Sequence, residues 1–260
     1  SERLIMNSEM FDANAFSGYR VLITGSSRGI GHEVAMALRR LGADIAVHGT
    51  NSPDAARYGV GPGTLVSLAG DFREKGVAAT VVNAAVEQLG GLDCLINNAG
   101  TMMGRNPIAD LPPQLYRQIV DLNTTSLVEA SIAAIPALSE SSRASIINTT
   151  SISARTGGSP GSSIYSSAKA FVSTFSRSSA RELAPRGIRV NAVSPGTIMT
   201  DFHERYSTPE KLAATAKSIP LGRLGEAGDC APTYLFLAHA EASGYITGQV
   251  IEVNGGSLMP

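Results

Sequence analysis

Short apolar segments alternate along the chain with longer segments whose apolar residues recur at helical spacing. The short segments are rich in Val and Ile and almost free of polar residues, which is typical of strands buried on both faces of a sheet. The predicted strands are residues 20–24, 43–48, 64–68, 92–96, 144–149, 188–193 and 249–253. This alternation predicts an α/β fold with a parallel sheet built from repeated βαβ units.

The longer segments predict helices near residues 29–41, 72–89, 112–138, 163–184 and 226–239. The connection between the second and third strands differs, because Ser52 and Pro53 favour a helix start whereas the glycines and proline of residues 59–63 end it within two turns. No linker, repeat or low-complexity tract divides the sequence. We therefore expect an N-terminal tail over residues 1–18 and one domain over residues 19–260.

Composition and charge narrow the class of protein. The chain has 260 residues, 21 basic and 22 acidic side chains and a formal net charge of −1, a balance that argues against nucleic-acid and anionic-membrane partners. No apolar run reaches transmembrane length, and the first residues lack the apolar core of a signal peptide. The two cysteines, Cys94 and Cys230, suit a reducing cytoplasm, and the four scattered histidines lack metal-ligand spacing. We expect a cytoplasmic protein without a disulfide framework or a metal site.

A glycine-rich segment follows the first predicted strand. Residues 24–31 read TGSSRGIG and lead at once into the first predicted helix. Glycines at such a turn let a pyrophosphate approach the N-terminus of the helix, whose N–H groups attract anions. The spacing differs from the G-x-G-x-x-G form, so an ordinary strand-to-helix turn is the alternative. The position between strand and helix favours dinucleotide binding.

A second segment, Asn97-Asn98-Ala99-Gly100, ends the fourth predicted strand. Ligands of open α/β sheets bind beyond the carboxyl ends of the strands. The small Ala99 and Gly100 leave room for a flat ligand there, whereas the two amides could equally tie neighbouring strand ends together.

Tyr165 and Lys169 are four residues apart in a predicted helix, so they lie on one face of it. A cation beside a phenol favours the phenolate and lowers the pKa of the tyrosine from about 10 towards neutral pH. Such a tyrosine can act as a general acid or base. Taken alone, the pair also fits a solvated helix face.

Together these motifs resemble the short-chain dehydrogenase/reductase family, in its compact single-domain branch. The resemblance runs from about Tyr19 to Gly256 and includes Asn123 in Asp-Leu-Asn, Ser151 after the fifth strand, Pro195-Gly196 after the sixth and the closing segment 248–256, GQVIEVNGG. It implies a Rossmann-like, doubly wound sheet of seven parallel strands with helices on both faces. It also implies a nicotinamide cofactor. In the family, the helix equivalent to residues 166–180 packs across a subunit interface, so the resemblance implies a homotetramer or homodimer, and the small residues of this helix permit such close packing.

The resemblance further implies a catalytic tetrad of Asn123, Ser151, Tyr165 and Lys169. Tyr165 would exchange a proton with the substrate oxygen, while Ser151 would hydrogen-bond that oxygen. Lys169 would hold the nicotinamide ribose and lower the pKa of Tyr165, and Asn123 would order a water that relays protons.

The serine departs from the family's usual spacing. Ser151 precedes Tyr165 by 14 residues, one more than is usual, and the glycine-rich loop between them absorbs the extra residue. Ser153 is the alternative.

Family members that prefer NAD carry a carboxylate just after the second strand, where it binds the ribose 2′-hydroxyl. Here that position is Gly49, followed by Thr50 and Asn51. Arg28 offers a planar cation for a 2′-phosphate. We therefore expect NADP(H) to be favoured over NAD(H).

The resemblance assigns further residues to the cofactor site. Asp71, next to Phe72, would accept a hydrogen bond from the adenine amino group, with an ordinary surface turn as its alternative. The remaining expected contacts are Gly25, Ser27, Arg28, Gly29, Ile30, Thr50, Asn51, Phe72, Asn97, Ala99, Gly100, Tyr165, Lys169, Pro195, Gly196, Ile198 and Thr200.

Three functions are weighed on these residues. The first is an NADP(H)-dependent oxidoreductase that interconverts a carbonyl and a secondary alcohol by hydride transfer. The second is an inactive relative that binds the cofactor or scaffolds partners, against which the complete tetrad counts. The third is a Rossmann methyltransferase, which has no use for the tyrosine–lysine pair. By resemblance, segment 198–222 corresponds to the family's lid over a small-molecule substrate. Its residues do not identify that substrate, so thioesters, sugars or polyols, steroids and xenobiotic ketones all remain possible substrates.

Overall fold

The computed structural model describes residues 11–200 and 208–259. Its strands are β1 (Arg20–Ile23), β2 (Asp44–Gly49), β3 (Leu65–Ala69), β4 (Cys94–Asn97), β5 (Ser145–Thr149), β6 (Arg189–Pro195), β7 (Ile198–Met199), β8 (Gly225–Glu226) and β9 (Val250–Val253). In this part of the chain, seven strands form one parallel sheet in the order β3-β2-β1-β4-β5-β6-β9, and β7 pairs with β8. The seven predicted strands are confirmed, with bounds shifted by a residue or two.

Strand β1 lies at the point where the strand order reverses. Its Ile23 pairs with Val47 of β2 on one side and with Ile96 of β4 on the other. The chain winds outward from β1 to β3 and then returns to the opposite side of β1 with β4. In a doubly wound sheet, the crevice outside the carboxyl ends of these strands is where ligands bind.

Helices cover both faces of the sheet. They are α1 (Gly29–Arg40), α2 (Val77–Leu89), α3 (Pro113–Val120), α4 (Ser126–Ser139), α5 (Ser153–Thr156), α6 (Ser163–Leu183), α7 (Pro209–Ser218), α8 (Ala227–Ala238) and α9 (Ala240–Ser243). Successive residues of β1 enter opposite cores: Ile23 packs with α1 and α8, and Leu22 packs with α2 and α4. This double burial is why the strands are almost wholly apolar.

Several helix bounds differ from the sequence pattern. The predicted helix 72–89 begins at Val77, because Gly76 adopts a left-handed conformation with φ of 80°. The predicted helix 112–138 is broken by one π-helical turn over Asp121–Thr125. The short helix expected after Pro53 is a 3₁₀ turn at Ala55–Tyr58. Helices α5, α7 and α9 lie in segments for which we predicted none.

Three residues of the segment that the sequence assigned to a tail, Phe11, Ala15 and Phe16, pack against the hydrophobic core. Phe16 is buried and its ring meets those of Tyr19 and His239 edge-on. Residues 1–10 of that predicted tail lie outside the described residues. Among the described helices, none has the length and apolar character needed to span a bilayer.

Candidate active site

A cleft of about 660 Å³ opens above the carboxyl ends of the central strands. It brings together most of the residues that the sequence singled out: Gly25, Ser27, Arg28, Gly29, Ile30, Thr50, Asp71, Phe72, Ala99, Gly100, Ser151, Tyr165, Lys169, Pro195, Gly196, Ile198 and Thr200. Three predicted residues, Asn51, Asn97 and Asn123, are not part of its lining. Ser153, the alternative to Ser151, does line it.

Two glycines of the glycine-rich loop are packed so closely that a side chain would not fit. A Cβ on Gly25, whose φ is 63°, would lie 2.7 Å from Cα of Ala99, and one on Gly31 would lie 2.5 Å from the side chain of Asn98. Asn98 in turn donates to the carbonyls of Thr24 and Gly25 at 3.1 and 3.0 Å. The two sequence motifs therefore form one unit around the N-terminus of α1, whose first turn no side chain caps. Open N–H groups at such a turn suit an anionic ligand.

His48 also supports this loop, although the sequence showed nothing to distinguish it from a core histidine. The N–H of Gly25 donates to its Nδ1 at 3.2 Å, and Nε2 lies 3.0 Å from the carbonyl oxygen of Gly70. The imidazole stacks on Phe72 with 4.0 Å between ring centroids. Burial lowers the pKa of His48 to about 4, so the ring is neutral at pH 7, with its proton on Nε2.

Asn97 is used inside the protein rather than at the cleft. Its side-chain amide donates to Oδ1 of Asn148 at 2.9 Å and to the hydroxyl of Ser131 at 3.1 Å. The sequence left open whether this motif binds a ligand or ties neighbouring strand ends together. The geometry favours the second role for Asn97, because β4 lies beside β5. Asn51 is exposed next to Gly49 and also lies outside the lining.

Asn123 lies just beneath the cleft, in the π-helical turn. Its amide N–H groups donate to the carbonyls of Thr101 and Ile119 at 2.9 and 2.8 Å, while its Oδ1 is buried without a hydrogen-bond partner. A Cβ on Gly100 would lie 2.6 Å from this oxygen and 3.0 Å from Nζ of Lys169. The missing side chain at Gly100 therefore leaves both polar atoms facing the same space.

Lys169 and Tyr165 share the face of α6 that points into the cleft. Nζ of Lys169 donates to the carbonyl of Thr149 at 2.9 Å and lies 5.7 Å from the centroid of the Tyr165 ring. Tyr165 hydrogen-bonds Ser151, whose Oγ also accepts from the backbone and hydroxyl of Ser153 at 3.2 and 3.0 Å. The serine in contact with the tyrosine is thus Ser151, with Ser153 behind it.

The expected lowering of the tyrosine pKa does not hold in this structure. Burial raises the pKa of Tyr165 to about 12, opposed by its hydrogen bond to Ser151. Burial likewise lowers the pKa of Lys169 to about 8. Desolvation penalises both charged forms, and for Tyr165 it outweighs the opposing effect of the hydrogen bond to Ser151.

The far end of the cleft, at β2 and β3, carries several cations. Exposed Arg28 lies in the glycine-rich loop, and Nη1 of Arg57 donates to the carbonyl of Ser27 at 3.0 Å. Sequence reasoning missed Arg57, because only the 3₁₀ turn carries it back to the loop. Asp71, expected at the adenine, is held by Arg73 through hydrogen bonds of 2.9 and 3.0 Å from its Nε.

Within residues 11–200 and 208–259, no group of three or more His, Cys, Asp and Glu side chains is placed to hold a metal ion. Both cysteines are free and buried.

Comparison with known proteins gives relatives along almost the whole chain. The profile of a family described as Enoyl-(Acyl carrier protein) reductase matches residues 25–257. The 3-oxoacyl-[acyl-carrier-protein] reductase FabG of Vibrio cholerae is 36% identical over 251 residues, which are 93% of this chain and 98% of that protein. An uncharacterized short-chain type dehydrogenase/reductase of Sinorhizobium fredii is also 36% identical, over 93% of this chain and 98% of its own.

Solved structures agree with these sequence relatives. NADH-dependent reductase A1-R′, described as responsible for alginate metabolism, has a TM-score of 0.87 and 35% identity, and the match covers 95% of this chain and 100% of that one. A short-chain type dehydrogenase/reductase from Mycobacterium marinum has the same TM-score and identity over 96% of this chain and 99% of its own. The sheet order and these relatives confirm the predicted fold and family. The chain belongs to the short-chain dehydrogenase/reductase family of NAD(P)-dependent oxidoreductases that act on carbonyl and alcohol groups.

Proposed function

We propose that this protein reduces a small carbonyl substrate with NADPH, and that Tyr165 donates the proton. The observation that carries the proposal is the hydrogen bond between Tyr165 and Ser151 in the cleft, with Nζ of Lys169 5.7 Å from the centroid of the tyrosine ring. The alternative of an inactive, cofactor-binding relative has no observation in its favour.

The residues of the cleft fit a nicotinamide dinucleotide. Gly25 and Gly31 let the loop pack closely against its neighbours, where a Cβ would collide. No side chain caps the N-terminus of α1, which suits binding of a pyrophosphate there. Ala99, Gly100, Pro195 and Gly196 would line the path towards Lys169. The reduced nicotinamide supplies a hydride when it is bound.

The protein's own residues then handle the charge on the substrate oxygen. Hydride addition to a carbonyl leaves negative charge on oxygen, which two positioned O–H donors stabilise. Ser151 and Tyr165 are those donors, and Tyr165 passes its proton to the oxygen. Because burial raises the pKa of Tyr165 to about 12, the phenol is protonated at pH 7, as reduction requires. The buried Oδ1 of Asn123 would accept from the water that returns a proton.

The preference for NADP(H) rests on the end of β2. A side chain at Gly49 would lie 2.9 Å from the carbonyl of Asn51 and 3.2 Å from Cβ of Ser27, so a carboxylate at this position would be crowded. Arg28 and Arg57 supply positive charge beside it instead, which suits a 2′-phosphate. The relative A1-R′ is described as NADH-dependent, and a comparison of the NADPH and NADH affinities of this protein by calorimetry tests the preference.

We also propose that the protein works in the cytoplasm as a homotetramer or homodimer. Two buried thiols without a disulfide fit a reducing compartment. Ile132 of α4 and Phe171 of α6 are exposed apolar residues, and Phe171 stacks on Phe175, which fits contact with a second subunit. Light scattering that shows a monomer would refute the assembly.

Substitution of Tyr165 tests the catalytic proposal. The Tyr165→Phe variant keeps the ring and loses the proton donor. We expect its turnover of a panel of ketones and aldehydes with NADPH to be abolished, while its NADPH affinity stays within about threefold of the wild-type value. Turnover at the wild-type rate would refute the role of Tyr165, and absence of turnover in the wild type would refute the activity.

A further inference from the structure

Tyr58 is buried in the 3₁₀ turn between β2 and β3, outside the described lining of the cleft. We propose that Tyr58 is a positioning residue for the cofactor, because it holds the glycine-rich loop in the conformation that binds the pyrophosphate of a nicotinamide dinucleotide. The inference rests on the cofactor binding in the proposed function and names a residue that prepares the loop for it.

Two neighbouring carbonyls of the loop accept hydrogen bonds from two neighbouring side chains of the turn. The hydroxyl of Tyr58 donates to the carbonyl of Ser26 at 2.8 Å, and Nη1 of Arg57 donates to the carbonyl of Ser27 at 3.0 Å. The first of these bonds is buried and the second is exposed. Burial raises the pKa of Tyr58, so the phenol keeps the proton that it donates.

These bonds fix the direction in which two peptide groups of the loop face. In a planar trans peptide, the carbonyl and the N–H point in opposite directions. Because the carbonyls of Ser26 and Ser27 are directed at the turn, the N–H groups of Ser27 and Arg28 are directed away from it. Ser27 and Arg28 line the cleft, on the other side of the loop from Tyr58. Consecutive backbone donors that lead into a helix N-terminus suit a phosphate group.

The carbonyl of Ser26 depends on the phenol because its surroundings are fully used. Ser26 is buried, its N–H donates to the carbonyl of His48 at 2.8 Å, and its hydroxyl donates to the carbonyl of Ile23 at 2.8 Å. The same hydroxyl accepts from the N–H of His48 at 2.9 Å. Removal of the Tyr58 hydroxyl leaves a buried acceptor without this donor, which favours other conformations of the loop.

Contacts on both sides hold Tyr58 in place. The ring of His32, in the first turns of α1, lies 4.9 Å from the ring of Tyr58 at an angle of 56°. Asp54 caps the 3₁₀ turn, since its Oδ1 accepts from the N–H of Ala56 at 3.0 Å. The turn, the glycine-rich loop and the start of α1 therefore form one closed unit, in which a loosened turn also loosens the loop.

The test measures ligand binding by Tyr58→Phe, which keeps the ring and loses the hydroxyl. Calorimetry with NADPH, NADH and ADP-ribose should give Kd values about threefold to tenfold above those of the wild type. The factor should agree within about twofold among the three ligands, because all of them contain the pyrophosphate. In the unliganded protein, amide hydrogens of residues 24–31 should exchange faster in the variant.

Tyr19→Phe is the matched control. The hydroxyl of Tyr19 also donates to a backbone carbonyl at 2.8 Å, that of Ala238, and both tyrosines are 2% exposed. Tyr19 precedes β1, whereas the glycine-rich loop follows that strand, so the two sites lie at opposite ends of it. The control should lose a similar amount of stability, while its Kd values and the exchange of residues 24–31 stay at wild-type values.

A second pair of variants tests the same inference without altering the core. Asp54 is exposed, and Asp54→Ala and Asp54→Asn both remove its charge, but only Asp54→Asn keeps a side chain that can cap the turn. We expect Asp54→Ala to raise all three Kd values by about twofold to fourfold and Asp54→Asn to bind like the wild type. This comparison decides the matter if Tyr58→Phe does not fold, and equal Kd values for the two variants would then overturn the inference.

The outcomes distinguish this inference from the proposed function. Unchanged Kd values in Tyr58→Phe, an equal change in Tyr19→Phe, or a loss confined to NADPH would overturn the inference. If the wild type binds the dinucleotides but reduces no carbonyl, the proposed function fails and the role of Tyr58 is still decided by binding. If it binds none of the three ligands, inorganic pyrophosphate replaces them: weaker binding by Tyr58→Phe than by the wild type supports the inference, and equal or absent binding refutes it.

Discussion

The backbone N–H of Gly25 donates to Nδ1 of His48, which joins the first glycine of the nucleotide loop to the end of the neighbouring strand β2. This contact requires a neutral imidazole, because a protonated ring has no acceptor. The other ring nitrogen faces the carbonyl of Gly70, so the tautomer is set by its surroundings. The loop conformation is thus coupled to the protonation state of one buried histidine.

We predict that His48 makes the protein less stable in mild acid. Its pKa is about 4 when folded, against 6.5 for an ordinary histidine, so below pH 6.5 the unfolded chain takes up a proton that the folded protein excludes. The contribution of neutral His48 to the free energy of unfolding is therefore fully present above pH 6.5 and is lost as the pH drops towards 4. Urea unfolding of wild type and His48→Gln should show their free-energy difference change by about 2 kcal/mol between pH 7.5 and pH 5. A difference that does not vary with pH would contradict this.

Lys169 should make cofactor binding sensitive to mild alkali. Burial disfavours the ammonium and lowers its pKa to about 8, so the free protein loses this charge above pH 8. If the ammonium binds the cofactor, the Kd for NADPH should rise by up to about tenfold per pH unit above that value. Lys169→Arg stays charged and should bind more weakly but with a flat profile. Fluorescence titrations from pH 7 to 10 would refute the prediction if the two profiles ran parallel.

Arg28 and Arg57 should decide between the two cofactors. We expect Arg28→Ala to weaken NADPH binding by about tenfold to a hundredfold, or roughly 1.5–3 kcal/mol, and NADH binding by less than about threefold. Arg57→Ala should have a smaller effect in the same direction, because its guanidinium reaches the loop through the carbonyl of Ser27. Arg40→Ala, exposed at the end of α1, serves as the control. Calorimetry that shows equal or tighter NADH binding in the wild type would reverse the assignment.

Asn97 should matter for stability rather than for cofactor binding. Its removal leaves Oδ1 of Asn148 buried without its donor, which costs about 1–3 kcal/mol. Asn97→Ala should therefore lower the free energy of unfolding by that amount while the Kd for NADPH changes less than about threefold. Asn83→Ala, exposed on α2, should change neither quantity. A large loss of affinity at unchanged stability would instead support the contact with the cofactor.

Local patterns sufficed for the features that depend on spacing along the chain. Tyr165 and Lys169 share a helix face because helical periodicity brings positions four apart together. The glycine-rich loop was recognisable because its glycines lie between a buried strand and an amphipathic helix. The strands were recognisable because a sheet covered on both faces demands apolar residues at every position.

The roles of Asn97 and His48 depended on which segments become neighbours in space. Asn97 points to Asn148 because β4 and β5 are adjacent, and His48 meets Gly25 because β2 lies beside β1. The hydrogen bond from Asn123 to the carbonyl of Thr101 likewise joins residues that no local pattern links. The pKa values of Tyr165 and Lys169 also depended on the tertiary structure. The proximity of a lysine to a tyrosine can be inferred from a sequence. The desolvation that dominates the pKa of the tyrosine depends on how the packed chain excludes water.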